Sequence, residues 1–310
     1  MTEPVKVAYV FPGQGAQWVG MGRDIYDNFD SARAVFEEAD EVLGFPLSRL
    51  CFEGPEDELR ETINAQPAIL TVSYACLQAT REVGGELPAA SFVAGHSLGE
   101  YTALAAANVI DFATAVHLTR ERGRLMYEAG VIRPGGMTAI IGLDEVPLDE
   151  VCRLTDTQIA NINCPGQLVI SGPKENLPKA ADLAKERGAS RTIPLQVSGA
   201  FHTPLMQPAM DGMSEIIATL DFQDSSVPVI GNTGAQLLTA AEQVRGELIA
   251  QLCNCVQWQR SVEHMVDEGV STFIEIGPGK VLTGLIRRIS KDADLINIGD
   301  AEAIRGLFDK

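Results

Sequence analysis

Gly95-His96-Ser97-Leu98-Gly99 places a serine between two glycines with the spacing Gly-x-Ser-x-Gly. A short apolar run, Ser91 to Ala94, precedes it, and an alanine-rich run of helical character, Tyr101 to Val109, follows. Strand, sharp turn and helix are the setting of a nucleophile elbow, in which the glycines allow the tight turn and the serine is held out at the helix N-terminus. The chemistry this offers is acyl transfer through a serine ester. The motif alone leaves open whether the acyl group then passes to water or to another molecule.

A serine hydroxyl is a weak nucleophile until a base takes its proton. The chain has four histidines. His96 adjoins Ser97, so its side chain leaves the elbow in another direction. His117 and His264 fall in helical runs, where an ordinary surface or half-buried histidine is the simpler reading. His202 lies in Ser198-Gly199-Ala200-Phe201-His202-Thr203-Pro204, a breaker-rich junction from which a loop can reach over the elbow, and it is the expected base. No acid that would orient it is evident, and a backbone carbonyl can fix the tautomer equally well. The tetrahedral oxyanion needs donors placed in advance. The N–H of Leu98, next after the nucleophile, is the first. The backbone N–H of Gln14, in the glycine-flanked turn Phe11-Pro12-Gly13-Gln14-Gly15, is the second. That turn is no phosphate loop, because neither Gly-Lys-Ser nor Gly-x-Gly-x-x-Gly follows.

Arg122 stands out on the run from Phe112 to Ala129. Ala115, Leu118, Leu125, Met126 and Ala129 form an apolar stripe at helical spacing. Arg122 falls inside it, four residues after Leu118 and four before Met126, whereas Arg120 and Arg124 fall on the polar side. An arginine facing the core is costly unless an anion pairs with it. No acid shares the stripe. Its partner is therefore either a distant structural acid or a substrate carboxylate, which a guanidinium grips with two parallel hydrogen bonds.

The surrounding segments alternate short apolar strands with longer helical patterns: strand 5–11, helices 31–43 and 68–83, strand 91–94, helix 112–129, and late strands 227–231, 272–276 and 295–298 with a helix at 282–289. This is βα alternation around a mostly parallel sheet. The middle differs: strand 137–143, helix 148–154, a hairpin of 158–163 and 167–171, helix 175–187 and strand 191–197 give the order βαββαβ of a ferredoxin-like unit. Breakers flank it at Arg133-Pro134-Gly135-Gly136 and Ser198-Gly199. The expected division is a large core over 1–130 and 199–310 with a small subdomain, 131–198, inserted, and the boundary between the two is a natural place for a substrate cleft.

Composition narrows the function further. At 45% hydrophobic and 21% charged, the 310-residue chain is an ordinary globular one. A net charge of -18 argues against nucleic acid or an anionic membrane as partner. An acidic partner needs a local basic patch, for which Lys185, Arg187 and Arg191 or Lys280, Arg287, Arg288 and Lys291 are available; solvated helix faces are the plainer reading. No apolar run reaches the roughly 18 residues of a membrane span. The N-terminal MTEPVKVAYVFPGQG reads as a first strand and not as a signal peptide. Six cysteines without Cys-x-x-Cys spacing fit reduced thiols in a cytoplasmic protein, and no metal site is expected.

Six motifs together resemble the malonyl-CoA:acyl carrier protein transacylases. They are FPGQGAQ, GHSLGEY, the arginine of RGRLM, GAFHTPLM, Cys255-Val256-Gln257-Trp258 and EIGPGKVLTGL, in this order along nearly the whole chain. The resemblance implies an α/β-hydrolase-like core with an inserted ferredoxin-like subdomain. It implies Ser97 as acylated nucleophile, His202 as base, Gln14 and Leu98 as oxyanion donors, and Arg122 as holder of the malonyl carboxylate. It implies Gln257 as the residue whose main-chain carbonyl orients His202; many members have asparagine-proline where this chain has Asn254-Cys255. Gly-Ala-Phe-His is similar to malonyl-selective members and implies that Phe201 crowds C2 of the acyl group. The implied reaction is ping-pong, from malonyl-CoA to the phosphopantetheine thiol of an acyl carrier protein, and the same chemistry serves fatty-acid synthesis or a discrete polyketide pathway; a monomer that needs no cofactor is expected. A serine hydrolase would give no reason for Arg122, and a non-catalytic protein none for Ser97 and His202 at their motif positions.

Overall fold

The central strand, Lys6–Phe11, alternates its side chains between two apolar clusters: Val7, Tyr9 and Phe11 enter one, Ala8 and Val10 the other. A strand buried on both faces reads as a continuous apolar run, as KVAYVF does. The structure is a computed structural model that describes residues 5–83 and 87–307; the first four residues of the expected N-terminal strand segment lie outside these. The strands are β1 (Lys6–Phe11), β2 (Ala90–Gly95), β3 (Gly135–Ile141), β4 (Gln158–Cys164), β5 (Gln167–Pro173), β6 (Arg191–Pro194), β7 (Val229–Ile230), β8 (Leu237–Leu238), β9 (Val270–Ile276) and β10 (Asp294–Ile298).

They form two sheets. The larger has the order β10-β9-β1-β2-β7-β8, parallel except for β8, which returns antiparallel on β7. The smaller has the order β4-β5-β3-β6, with every neighbour antiparallel. That order, with helices Glu145–Thr155 and Leu177–Glu186 between the strands, is the ferredoxin-like arrangement expected from the middle of the chain. Both helices cover one face, where Ile140, Ile162, Leu168 and Ile170 are buried with Leu148, Val151 and Ala180. Met137, Ala139, Asn161, Asn163 and Val169 point the other way and line a cleft against the large sheet.

One helix begins earlier than its sequence suggests. The expected run from Ala68 is a helix over Thr62–Glu82 with Pro67 inside it. Proline cannot donate to the carbonyl four residues back. Arg120 takes that place: its Nη1 donates to Ile63 O at 2.9 Å. The additional turn carries Gln66 into the site described next.

Candidate active site

β2 runs into the elbow and helix Gly99–Ala106 leaves it. The strand end and helix start approach so closely that a Cβ on Gly95 would lie 1.9 Å from the backbone carbon of Gly99, and one on Gly99 would lie 2.1 Å from Phe11 O. Glycine is therefore required at both positions of the motif. Between them Ser97 has φ +52°, a left-handed conformation that L-residues adopt at a cost. Two side chains hold it there. The Ser97 N–H donates to Asn232 Oδ1 at 2.7 Å, and its C=O accepts from Gln251 Nε2 at 3.0 Å.

His202 meets the serine as expected, with Nε2 2.8 Å from Ser97 Oγ. Its Nδ1 lies 2.8 Å from the main-chain oxygen of Gln251. A carbonyl only accepts, so Nδ1 carries the proton and Nε2 presents its lone pair to the serine hydroxyl. The carbonyl expected here was that of Gln257, and the structure corrects it. Gln251 ends helix Ala241–Gln251, and the last turn of a helix has carbonyls without intrahelical partners. Gln257 instead donates its N–H to Asn232 O and precedes helix Trp258–Asp267. Its neighbour Val256 pairs with the edge strand β4 of the small sheet, donating to Ala160 O and accepting from the Ile162 N–H. His202 is buried, and that burial, followed by the Arg122 cation, pushes its pKa down to about 3.

Arg122 is 1% exposed. Nη1 donates to Gln66 Oε1 at 2.7 Å, and Nη2 donates to Gln251 Oε1 at 2.7 Å and to Ser97 Oγ at 3.0 Å. All these acceptors are neutral, and Nε is buried without a partner. The distant structural acid that could have explained this arginine is not in contact with it. Its cation sits over the Tyr101 ring, 5.5 Å from the centroid, and burial lowers its pKa. Arg124, by contrast, pairs on the surface with Glu121 and Glu128.

The cleft, about 500 Å³, is lined by Gln14, Ser97, Arg122, Phe201 and His202 from the large unit and by the open face of the small sheet. The backbone N–H groups of Gln14 and Leu98 have no protein acceptor among the described residues. Gln14 is fixed through its side chain, which accepts from Thr62 Oγ1 at 2.9 Å. Phe201 is buried in the main cluster and lines the cleft. His96 points away from the serine, with Nε2 2.9 Å from Asn163 Oδ1. His117 is exposed, and His264 binds Ala235 O.

Four residues of the site were not singled out from the sequence: Gln66, Glu100, Asn232 and Gln251. Each is a buried polar side chain satisfied by another. Asn232 follows the two-residue strand β7, and Gln66 lies before Pro67, so local pattern marks neither as facing the core. Glu100 stands in the GHSLGEY motif, and that was its one available signal.

Comparison with known proteins places this geometry. The acyl transferase domain family matches residues 8–304. The malonyl CoA-acyl carrier protein transacylase of Bacillus subtilis is 46% identical over 304 residues, covering 96% of this chain and 95% of the relative. That of Staphylococcus aureus is 42% identical over 306 residues, covering 97% and 98%. The solved malonyl CoA-acyl carrier protein transacylase of Coxiella burnetii superposes with a TM-score of 0.95 at 36% identity, covering 98% of this chain and 97% of the other. A malonyl-transacylase solved in complex with its type II PKS acyl-carrier protein superposes at 0.93 with 41% identity, covering 97% and 98%. No helix of the described residues is long and apolar enough to cross a membrane. With an elbow serine, its histidine and a buried unpaired arginine in one cleft, and with relatives of this identity over nearly its whole length, the chain belongs to the malonyl-CoA:acyl carrier protein transacylase family of acyl transferases.

Proposed function

We propose that the protein transfers the malonyl group of malonyl-CoA to the phosphopantetheine thiol of an acyl carrier protein through a malonyl ester on Ser97, supplying fatty-acid synthesis. The observation that carries this reading is Arg122: a buried cation with neutral partners, whose Nη2 lies 3.0 Å from the nucleophile. A free carboxylate on the acyl group replaces Ser97 Oγ as its partner, which both selects malonyl and releases the hydroxyl for attack. A hydrolase of simple acyl thioesters has no use for such a group.

In the first half-reaction Ser97 Oγ attacks the thioester carbonyl and gives its proton to His202 Nε2. The Gln14 and Leu98 N–H groups stabilise the oxyanion. The C–S bond breaks, and the imidazolium returns the proton to the coenzyme A thiolate. In the second, His202 takes the proton of the carrier thiol, sulfur attacks the ester carbonyl, and Ser97 Oγ leaves with the proton. The bound carboxylate and the narrow cleft keep a well-placed water from competing. The basic residues Lys280, Arg287, Arg288 and Lys291 are exposed around helix Val281–Ile289, whose Val281, Leu282 and Leu285 line the cleft. Among the described residues none of them pairs with an acid, although Arg288 is held by Gln167 Oε1 and Pro165 O, and they suit the phosphates of both substrates better than Lys185 and Arg187, which pair with Asp182 and Glu150.

Phe201 limits the acyl group at C2. As Phe201 lines the cleft next to His202, a branched acyl group meets it. The unaltered enzyme therefore turns over methylmalonyl-CoA far more slowly than malonyl-CoA, and comparable kcat/KM for the two would refute the steric role. The reading as a whole is tested with radiolabelled malonyl-CoA, with and without a phosphopantetheinylated carrier protein. Label appears on the carrier when it is present; release of free malonate at the same rate with or without carrier would make the protein a hydrolase.

A further inference from the structure

Glu100 is fully buried in the first turn of the elbow helix and touches neither Ser97 Oγ nor His202. Its partners are the two amides that do hold the site. Oε1 accepts from the Asn232 backbone N–H at 2.9 Å and from Asn232 Nδ2 at 3.1 Å, and Oε2 accepts from Gln251 Nε2. Asn232 in turn binds the Ser97 N–H, and Gln251 binds the Ser97 carbonyl and Arg122 through its carboxamide and the His202 Nδ1–H through its main-chain oxygen. The backbone of the strained serine, the ring of the base and the guanidinium are thus each one residue removed from a single carboxyl.

Hydrogen-bond polarity fixes the direction of every link. A guanidinium has donors and no acceptor, so Gln251 must turn its Oε1 to Arg122 and its NH₂ to Ser97 O and Glu100. Asn232 must turn its Oδ1 to the Ser97 N–H, which leaves its NH₂ for Gly95 O and Glu100. All three contacts on Glu100 come from N–H donors. An ionised carboxylate accepts them; a neutral amide in its place sets a donor against a donor. The result is a carboxylate and a guanidinium bridged by the carboxamide of Gln251.

We propose that Glu100, as a carboxylate, is the positioning residue of the site, orienting Asn232 and Gln251 so that Ser97, His202 and Arg122 hold their reactive geometry. The inference rests on the serine–histidine–arginine reading above. The charged groups acting on Glu100 are Glu247 and Arg122. Burial, then Glu247, raise its pKa well above the ordinary carboxylate range, against the pull of its amide donors and Arg122. Burial and the Arg122 cation push the His202 pKa the other way, down to about 3. Glu100 is therefore the group of this network that takes up a proton first as the pH falls, and its protonation undoes the orientation of both amides.

The test is Glu100→Gln, with the rate at which phenylmethanesulfonyl fluoride modifies Ser97 and with the malonyl-to-acetyl ratio of kcat/KM. The sulfonyl reagent carries no carboxylate and no coenzyme A, so its result stands even if malonyl transfer does not. The expected result is a folded variant that reacts about 10²-fold more slowly, the scale for a misplacement near 1 Å. Its malonyl preference is lowered, and the acid limb of the wild-type pH–rate profile is absent. Wild-type rate, preference and acid limb in the folded variant would overturn the proposal. Should the variant not fold, infrared spectroscopy of the wild-type protein decides. The stretch of a buried protonated carboxyl, told from surface groups by its slow shift in deuterium oxide, is absent at full activity and grows in along the acid limb. Its presence at full activity would overturn the proposal.

Discussion

Replacing His202 by alanine slows acylation of Ser97 by about 10²–10⁴-fold, the usual share of general-base help. Binding of malonyl-CoA is retained, because Arg122 and the rest of the cleft lining are untouched. The effect falls on kcat with little change in substrate affinity, as expected for an interaction made in the transition state. The pushed-down pKa of His202 has a definite sign. The base works as neutral imidazole, and a pKa of about 3, against the ordinary 6.5, keeps it neutral through mildly acid conditions. Carboxylate binding at Arg122 offsets the second-largest cause of that shift, so the bound substrate strengthens the base that it needs. Pre-steady-state acylation in His202→Ala is the measurement. An unchanged rate would move the role to another histidine, although His96, His117 and His264 all lie out of hydrogen-bond contact with Ser97.

Arg122→Ala separates malonyl from acetyl. Truncating one partner of a desolvated charge pair costs on the order of 2–5 kcal/mol, so kcat/KM for malonyl-CoA falls by that amount. Acetyl-CoA is a poor substrate of the unaltered enzyme, since it leaves the guanidinium buried without an anion. In Arg122→Ala that penalty is gone, and acetyl transfer falls much less or rises. Arg122→Lys retains the charge without the planar fork and lies between the two. The truncation also leaves Gln66 Oε1 and Gln251 Oε1 without their donor, so thermal unfolding of each variant is recorded beside the kinetics. If Arg122→Ala lowers both substrates by the same factor, the arginine is structural and the carboxylate is held elsewhere.

Much of this was legible in the sequence where a residue's role is local. The elbow needs glycines at two fixed positions because backbone meets backbone there, and Gly-x-Ser-x-Gly records that directly. Arg122 betrayed itself by breaking an apolar stripe, and the βαββαβ order of the small sheet followed from strand and helix rhythm. What was hidden depends on pairing across the fold. Gln251 orients His202 through a helix-end carbonyl, a role that any residue type could fill, so no motif marks it; the prominent Val-Gln-Trp segment drew the role to Gln257 instead, whose N–H goes to Asn232 O. Gln66 was obscured by Pro67, whose missing donor is compensated by Arg120 from a distant helix. Glu100 and Asn232 are satisfied by partners 132 residues apart, a relation that no local window contains.

The central claim, that Ser97 carries the acyl group between the two substrates, is tested most directly by intact-protein mass spectrometry after brief exposure to malonyl-CoA without carrier protein. The wild-type protein gains the mass of one malonyl group, loses it when a phosphopantetheinylated carrier protein is added, and Ser97→Ala shows no gain. A normal adduct on Ser97→Ala, or no adduct on wild-type protein that nonetheless transfers malonyl to the carrier, would contradict the account.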